Sequence, residues 1–245
     1  MRAYIYLSDL CYLGGRGVRR RKRSINGDPV SETEYSFVVA LHDQNYQYFC
    51  AGSVVTSRVI MTASHCVSKN RLHYVRVLSA DGITAFMHLV DTSYFYPPIN
   101  DIYYNDIAVV ILREPIQHAT RINLPPRNYK MQMGTKVSSF GWGETGYERV
   151  SMYLRRVDLT VIARSRCTIT DYGVISHQIC TDSSINDICF GDSGGPLTYG
   201  DYNNYYQVGI ASAVSKKGCR SGDPSIFTEV APYYDWIMDY ALRYP

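Results

Sequence analysis

Hydrophobic positions along the chain fall into short runs separated by polar turns, and most of the runs are rich in β-branched and aromatic residues. Phe37-Val38-Val39-Ala40-Leu41 is an apolar strand candidate. Tyr48 to Val55 and Val59 to Ala63 are two further runs with a short polar turn between them. From Leu72 to Val90 apolar and polar residues alternate, with a turn at Asp81-Gly82, and Ile107 to Leu112 is wholly apolar. Pro125-Pro126-Arg127-Asn128 and then Gly134 mark a linker between two β subdomains. Only near the end does the period change: from Pro232 to Ala241 apolar residues recur at helical spacing, behind a proline suited to a first turn.

The 245 residues suit one compact unit or two small subdomains with a buried core. No run approaches the 18 or more apolar residues of a membrane span, and neither a repeat nor a low-complexity block occurs. The formal charge of +3 is set by the start of the chain, where seven of the 25 basic residues but one of the 22 acids fall in the first 23 positions. The remainder is net acidic, which argues against a nucleic-acid partner. Arg19-Arg20-Arg21-Lys22-Arg23 has no interleaved aromatics and directly precedes a change of pattern, so it reads as a processing site. The seven cysteines lack paired CxxC spacing, which points to disulfides, and hence an oxidising extracellular compartment, rather than zinc. Residues 1–13 make a poor secretory leader, because Asp9 interrupts their apolar stretch and no small-residue cleavage site precedes Gly14.

The chemistry concentrates in Asp187-Ile188-Cys189-Phe190-Gly191-Asp192-Ser193-Gly194-Gly195-Pro196-Leu197. Glycines on both sides of Ser193 permit a sharp bend that exposes its hydroxyl, and the N–H groups of Gly191 and Ser193 could converge on a developing oxyanion. Gly191-Asp192-Ser193-Gly194-Gly195 also fits the nucleophile elbow of α/β-hydrolases, but there the histidine follows the serine, and no histidine occurs here after His177. The base must lie upstream. His65, in Thr62-Ala63-Ser64-His65-Cys66, ends a β-rich run; His42, His73, His88, His118 and His177 read as surface or core residues. Asp106 leads an apolar strand and so needs a buried partner, whereas Asp81, Asp91 and Asp101 read as turn residues.

At this point the chain resembles the trypsin/chymotrypsin family of serine endopeptidases, whose order is His, Asp, Ser. The histidine motif differs by one Ala-to-Ser change, at Ser64, and Val137 to Gly143 is similar to the strand and Gly-Trp-Gly turn that open the family's second barrel. The resemblance covers residues 24–245 and implies an all-β fold of two antiparallel β-barrels, about 24–125 and 134–230, with a C-terminal helix at about 232–242. Residues 1–23 would be an activation segment whose start could itself be truncated. By the same resemblance Ser193 is the nucleophile, His65 the general base and Asp106 its orienting partner, with Gly191 and Ser193 forming the oxyanion hole. Cleavage between Arg23 and Ser24 would free an amine to pair with Asp192. Ser24 stands where the family carries isoleucine or valine, so the active form would be less firmly locked.

Asp187 falls where trypsin-like members receive Lys or Arg. Val214 and Ser225 stand where an open pocket has glycines, while Ser212 keeps its place beside the triad. Cleavage after Lys or Arg and elastase-like cleavage after small residues both stay open. So does a catalytically silent binding module. Cys50 with Cys66, and Cys167 with Cys180, would form bridges; Cys189 and Cys219 are also expected in disulfides, and Cys11 is left over. No metal and no cofactor are expected. The expected partners are protein or peptide substrates, an activating protease and protease inhibitors, with neither nucleic acid nor membrane, around a monomeric secreted enzyme.

Overall fold

The computed structural model describes residues 4–6, 27–78, 82–97, 105–146, 148–167, 176–201, 204–215, 217–219 and 221–245. Arg23, Ser24 and Cys11 lie outside these. Two short strands come first, β1 (Tyr4–Tyr6) and β2 (Asp28–Pro29), and both end up attached to the second half of the molecule.

The first barrel is built from β3 (Val38–His42), β4 (Tyr48–Val54), β5 (Val59–Thr62), β6 (Tyr74–Leu78), β7 (Ala85–Phe95) and β8 (Ala108–Leu112). Closure runs β3-β4-β5-β8-β7-β6, every pair antiparallel. A one-turn helix, α1 (Ser64–Val67), directly follows β5. The second barrel contains β9 (Lys136–Gly141), β10 (Arg155–Ile162), β11 (Gln178–Thr181), β12 (Pro196–Tyr199), β13 (Tyr206–Ser215) and β14 (Ser225–Glu229). The antiparallel ring β9-β10-β11-β14-β13-β12 closes because β12 also pairs with β9. Closure pairs backbone groups that an open sheet would leave at its edges. The fold is therefore all-β, two antiparallel barrels with a C-terminal helix.

That helix, α2 (Tyr234–Arg243), is entered through a 3-10 turn at Ala231–Tyr233 that contains the proline. It leaves the second barrel but packs on the first: Ile237 and Ala241 join the core cluster of Val109, Val110 and Ile111. Between the barrels lies an aromatic layer, in which Tyr35 and Phe37 meet Phe140 and Tyr205 at centroid distances of 4.7–5.9 Å. Rings of this size bury about 150–250 Å² each. The two barrels are thereby packed against each other, and the segments bearing His65, Asp106 and Ser193 meet along their seam.

β13 is shared by three strands. β12 takes one edge over Tyr206 to Ile210, and β14 takes the other over Gly209 to Ala213. Ala213 pairs at once with Ile226 of β14 and with Tyr6 of β1, so β1 lies on the β12 edge, further along, against Ala213, Val214 and Ser215.

Candidate active site

Each side chain of the expected triad is delivered by a different piece of the two barrels. His65 sits on α1, and the Cys50–Cys66 disulfide ties that helix to β4. The same bridge accounts for the one place among the described residues where Cys50, His65 and Cys66 approach as a metal site would require: the two sulfurs are already bonded to each other. Asp106 stands at the mouth of β8, its carbonyl accepting the Thr228 hydroxyl at 3.0 Å. Ser193 occupies a tight turn just before β12, which the Cys189–Cys219 disulfide anchors. A third disulfide, Cys167–Cys180, packs with Ala213 and Ile226 in a separate buried cluster.

The Ser193 turn is pinned to the first barrel. Gly194 adopts a φ of +76°, and a Cβ there would run into Thr62 Oγ1 and the Ala51 carbonyl. On its other side, Gly194 N–H donates to the Ala211 carbonyl at 2.8 Å and Ala211 N–H to Gly195 at 2.9 Å. The result is a continuous hydrogen-bond chain, with Ser193 Oγ 2.9 Å from His65 Nε2 and His65 Nδ1 2.8 Å from Asp106 Oδ2. All three residues are buried.

Asp106 is surrounded by donors. Oδ1 accepts from the Ser64 hydroxyl at 2.9 Å and the His65 N–H at 3.1 Å, and Oδ2 accepts from Ser212 at 2.5 Å as well as from the imidazole. Burial alone would raise its pKa; the His65 charge and the hydrogen bonds from His65 and Ser212 outweigh that and hold it below the usual carboxylate value. A serine whose proton can pass to a fixed imidazole, itself backed by an ionised carboxylate, is equipped for nucleophilic attack on a carbonyl.

Gly191 has a φ of +99°, and its carbonyl accepts the Tyr48 hydroxyl. Among the described residues the N–H groups of Gly191 and Ser193 have no acceptor. Asp192 points away from them, into the protein, where Gly143 and Cys189 each donate an N–H at 2.8 Å. A small cavity lined by Gly27, Gly141, Gly143, Thr145 and Ile188 adjoins its carboxylate. Burial is the main effect on Asp192 and raises its pKa to about 6, against the two hydrogen bonds, which lower it. Asp187 is buried and accepts the Ser225 hydroxyl, while Val214 is fully buried in the second-barrel cluster that holds Ile188 and Phe227.

A family model described as trypsin matches residues 24–237. The chain belongs to the trypsin family. It is 31% identical to serine protease 1 of Drosophila melanogaster over 89% of this chain and 85% of that protein. Brachyurin of Leptuca pugilator is 32% identical over 78% of this chain and 87% of its own length. The solved structure of human heparin binding protein superposes with a TM-score of 0.74 at 25% identity, covering 90% of this chain and 97% of that one. As a trypsin-family member the protein is a serine-type endopeptidase, a hydrolase whose substrates are proteins.

Three parts of the site have roles that the residue pattern does not announce. Gly141 and Gly143 open the second barrel by pattern, yet their function is to make room: a Cβ on Gly143 would stand 2.6 Å from the Asp192 carboxylate, and one on Gly141 would collide with it. Tyr48 has the pattern of an ordinary strand residue. Ser64 is a departure in the histidine motif, and that departure is itself the signal of its bond to Asp106.

Proposed function

We propose that the chain is the precursor of a secreted endopeptidase which, once cut between Arg23 and Ser24, hydrolyses peptide bonds after Lys or Arg. The observation that carries this reading is the unbroken path from Ser193 through His65 to Asp106, with a buried carboxylate, Asp187, six residues before the nucleophile. Ser193 attacks the scissile carbonyl, and His65 takes its proton and returns it to the leaving amine. Asp106 keeps Nδ1 protonated and stabilises the imidazolium. The N–H groups of Gly191 and Ser193 stabilise the oxyanion.

Asp192 supports the activation step. It is a buried acid beside a cavity that begins at Gly27, three residues from Ser24, and the family match starts at Ser24 itself. A new amine at Ser24 would supply a cation for it, and the serine side chain would bury less apolar surface than isoleucine. Activation calls for another protease, and the product is read as a monomer open to protease inhibitors. Three disulfides suit an oxidising compartment.

Elastase-like specificity is the second reading, and the complete burial of Val214 favours it. A silent binding module, which the name of the heparin-binding neighbour brings to mind, is disfavoured by the intact Ser193–His65 hydrogen bond. The test is hydrolysis of a peptide library varied at the residue before the cut, after processing at Arg23. Ser193→Ala is expected to lower turnover by a factor on the order of 10⁴–10⁶ with folding intact. Turnover equal in the two proteins, with the cut verified, would rule out catalysis by this site.

A further inference from the structure

A carboxylate has two oxygens with about four lone-pair directions in all. In this chain all four are taken on Asp106, by four separate donors, and the fourth comes from the one position where the histidine motif departs from its family. The Ser64 hydroxyl can only donate there, because every other group on the carboxylate is a donor and the carboxylate is an acceptor. With alanine at 64, Oδ1 would keep the His65 N–H alone.

We propose that Ser64 is a positioning residue for the peptidase reaction: its hydroxyl completes the donor set of Asp106, holds the carboxylate plane against His65, and lowers the pH at which activity begins. The inference rests on the reading of Ser193, His65 and Asp106 as the reacting triad. The physical chain is short. A fourth donor draws charge from the carboxylate, which then attracts a developing imidazolium less strongly.

Among the described residues, the other charged or titratable groups near Asp106 do not offer the same effect. Tyr233, on the 3-10 turn, donates its hydroxyl to Asn105 Oδ1 at 2.8 Å; burial first, and then the charges of Tyr96, Asp106 and Glu229, raise its pKa, so it stays neutral through the acid range. Glu229, at the end of β14, is paired with Arg164 at 3.3 Å. Ser212 and Thr228, from β13 and β14, do not titrate in this range.

The experiment compares the pH dependence of kcat/KM for the processed wild type, Ser64→Ala and Ser64→Thr, with Ser193→Ala as the blank. Ser64→Ala is expected to move the acid limb upward by about half a pH unit, a roughly threefold loss of activity below the limb, with KM within twofold. Ser64→Thr, which keeps a hydroxyl, should return the limb toward its original place. Following the titration of the His65 ring by NMR in the Ser193→Ala background gives the same shift without turnover. A structural role alone would lower the plateau and leave both titrations in place, and that result would overturn the proposal, as would equal shifts in Ser64→Ala and Ser64→Thr. Wild-type turnover no higher than the blank would instead remove the triad reading and this inference with it, whereas an active wild type with an unmoved limb would remove this inference alone.

Discussion

Ala51 N–H donates to the Ser193 carbonyl at 2.7 Å, so a strand of the first barrel directly holds the peptide of Ser193, which belongs to the second. The geometry of the reactive centre is thus a property of the seam between barrels and not of either barrel separately.

Gly194 is the residue that makes this approach possible. Gly194→Ala places a methyl against Thr62 Oγ1 and the Ala51 carbonyl at a φ that L-residues rarely adopt. The expected cost is about 2–4 kcal/mol of stability. Chemical denaturation measures it, and activity at temperatures where the variant is still folded should fall as well, because Ser193 is displaced from His65.

Asp192 makes the stability of the full chain sensitive to pH. Its folded pKa of about 6 lies above the ordinary 3.8, so the folded state binds the proton more tightly than the unfolded one. Its contribution to stability is therefore present below pH 4 and is lost as pH rises through 4 to 6, by about 2–3 kcal/mol in all. Thermal unfolding of the full chain across that range should show this component, and Asp192→Asn should lack it. The variant also leaves one of the two N–H donors without its acceptor, so its absolute stability is expected to be lower at acid pH.

On the proposed reading, Asp187 and Val214 bear on specificity in opposite directions. Val214→Gly should raise cleavage after Lys or Arg by about tenfold, since Val214 shares a buried cluster with Ile188, the residue next to Asp187, and a glycine would open space there. Asp187→Ser should lower that cleavage on the order of 10²-fold or more, because a cationic side chain then enters without its counter-charge. Rates on matched peptides ending in Arg and in Ala decide the matter: a wild type that prefers Ala, and that Val214→Gly converts, would establish the valine as the controlling residue.

Much of this arrangement is legible in the order of residues alone. Ile107 to Leu112 has the look of a buried strand because it is apolar throughout, and Ala108–Leu112 is β8. The change to helical spacing after Pro232 locates α2, although the proline itself lies in the 3-10 turn before it, where a missing N–H costs nothing. Relations across the seam are not legible in this way. A one-dimensional pattern shows that Gly141 and Gly143 flank a tryptophan, but not that Asp192, some fifty residues later, needs the space they leave. Likewise Ser64 differs from the family by one oxygen, and its significance depends on the distance to a carboxylate forty-two positions away.

The edge of β13 gives the pairing of β1 a kinetic meaning. Ser193's turn holds that edge as far as Ala211, and residues 4–6 occupy the next stretch, at Ala213 to Ser215, running with their C-terminal end toward the nucleophile. One row of backbone groups cannot serve two strands. In the uncut chain, an extended peptide that lies along these three positions must exchange with the chain's own beginning. Its apparent affinity is then reduced by the fraction of time the edge stands vacant, and its arrival rate is bounded by how often residues 4–6 let go.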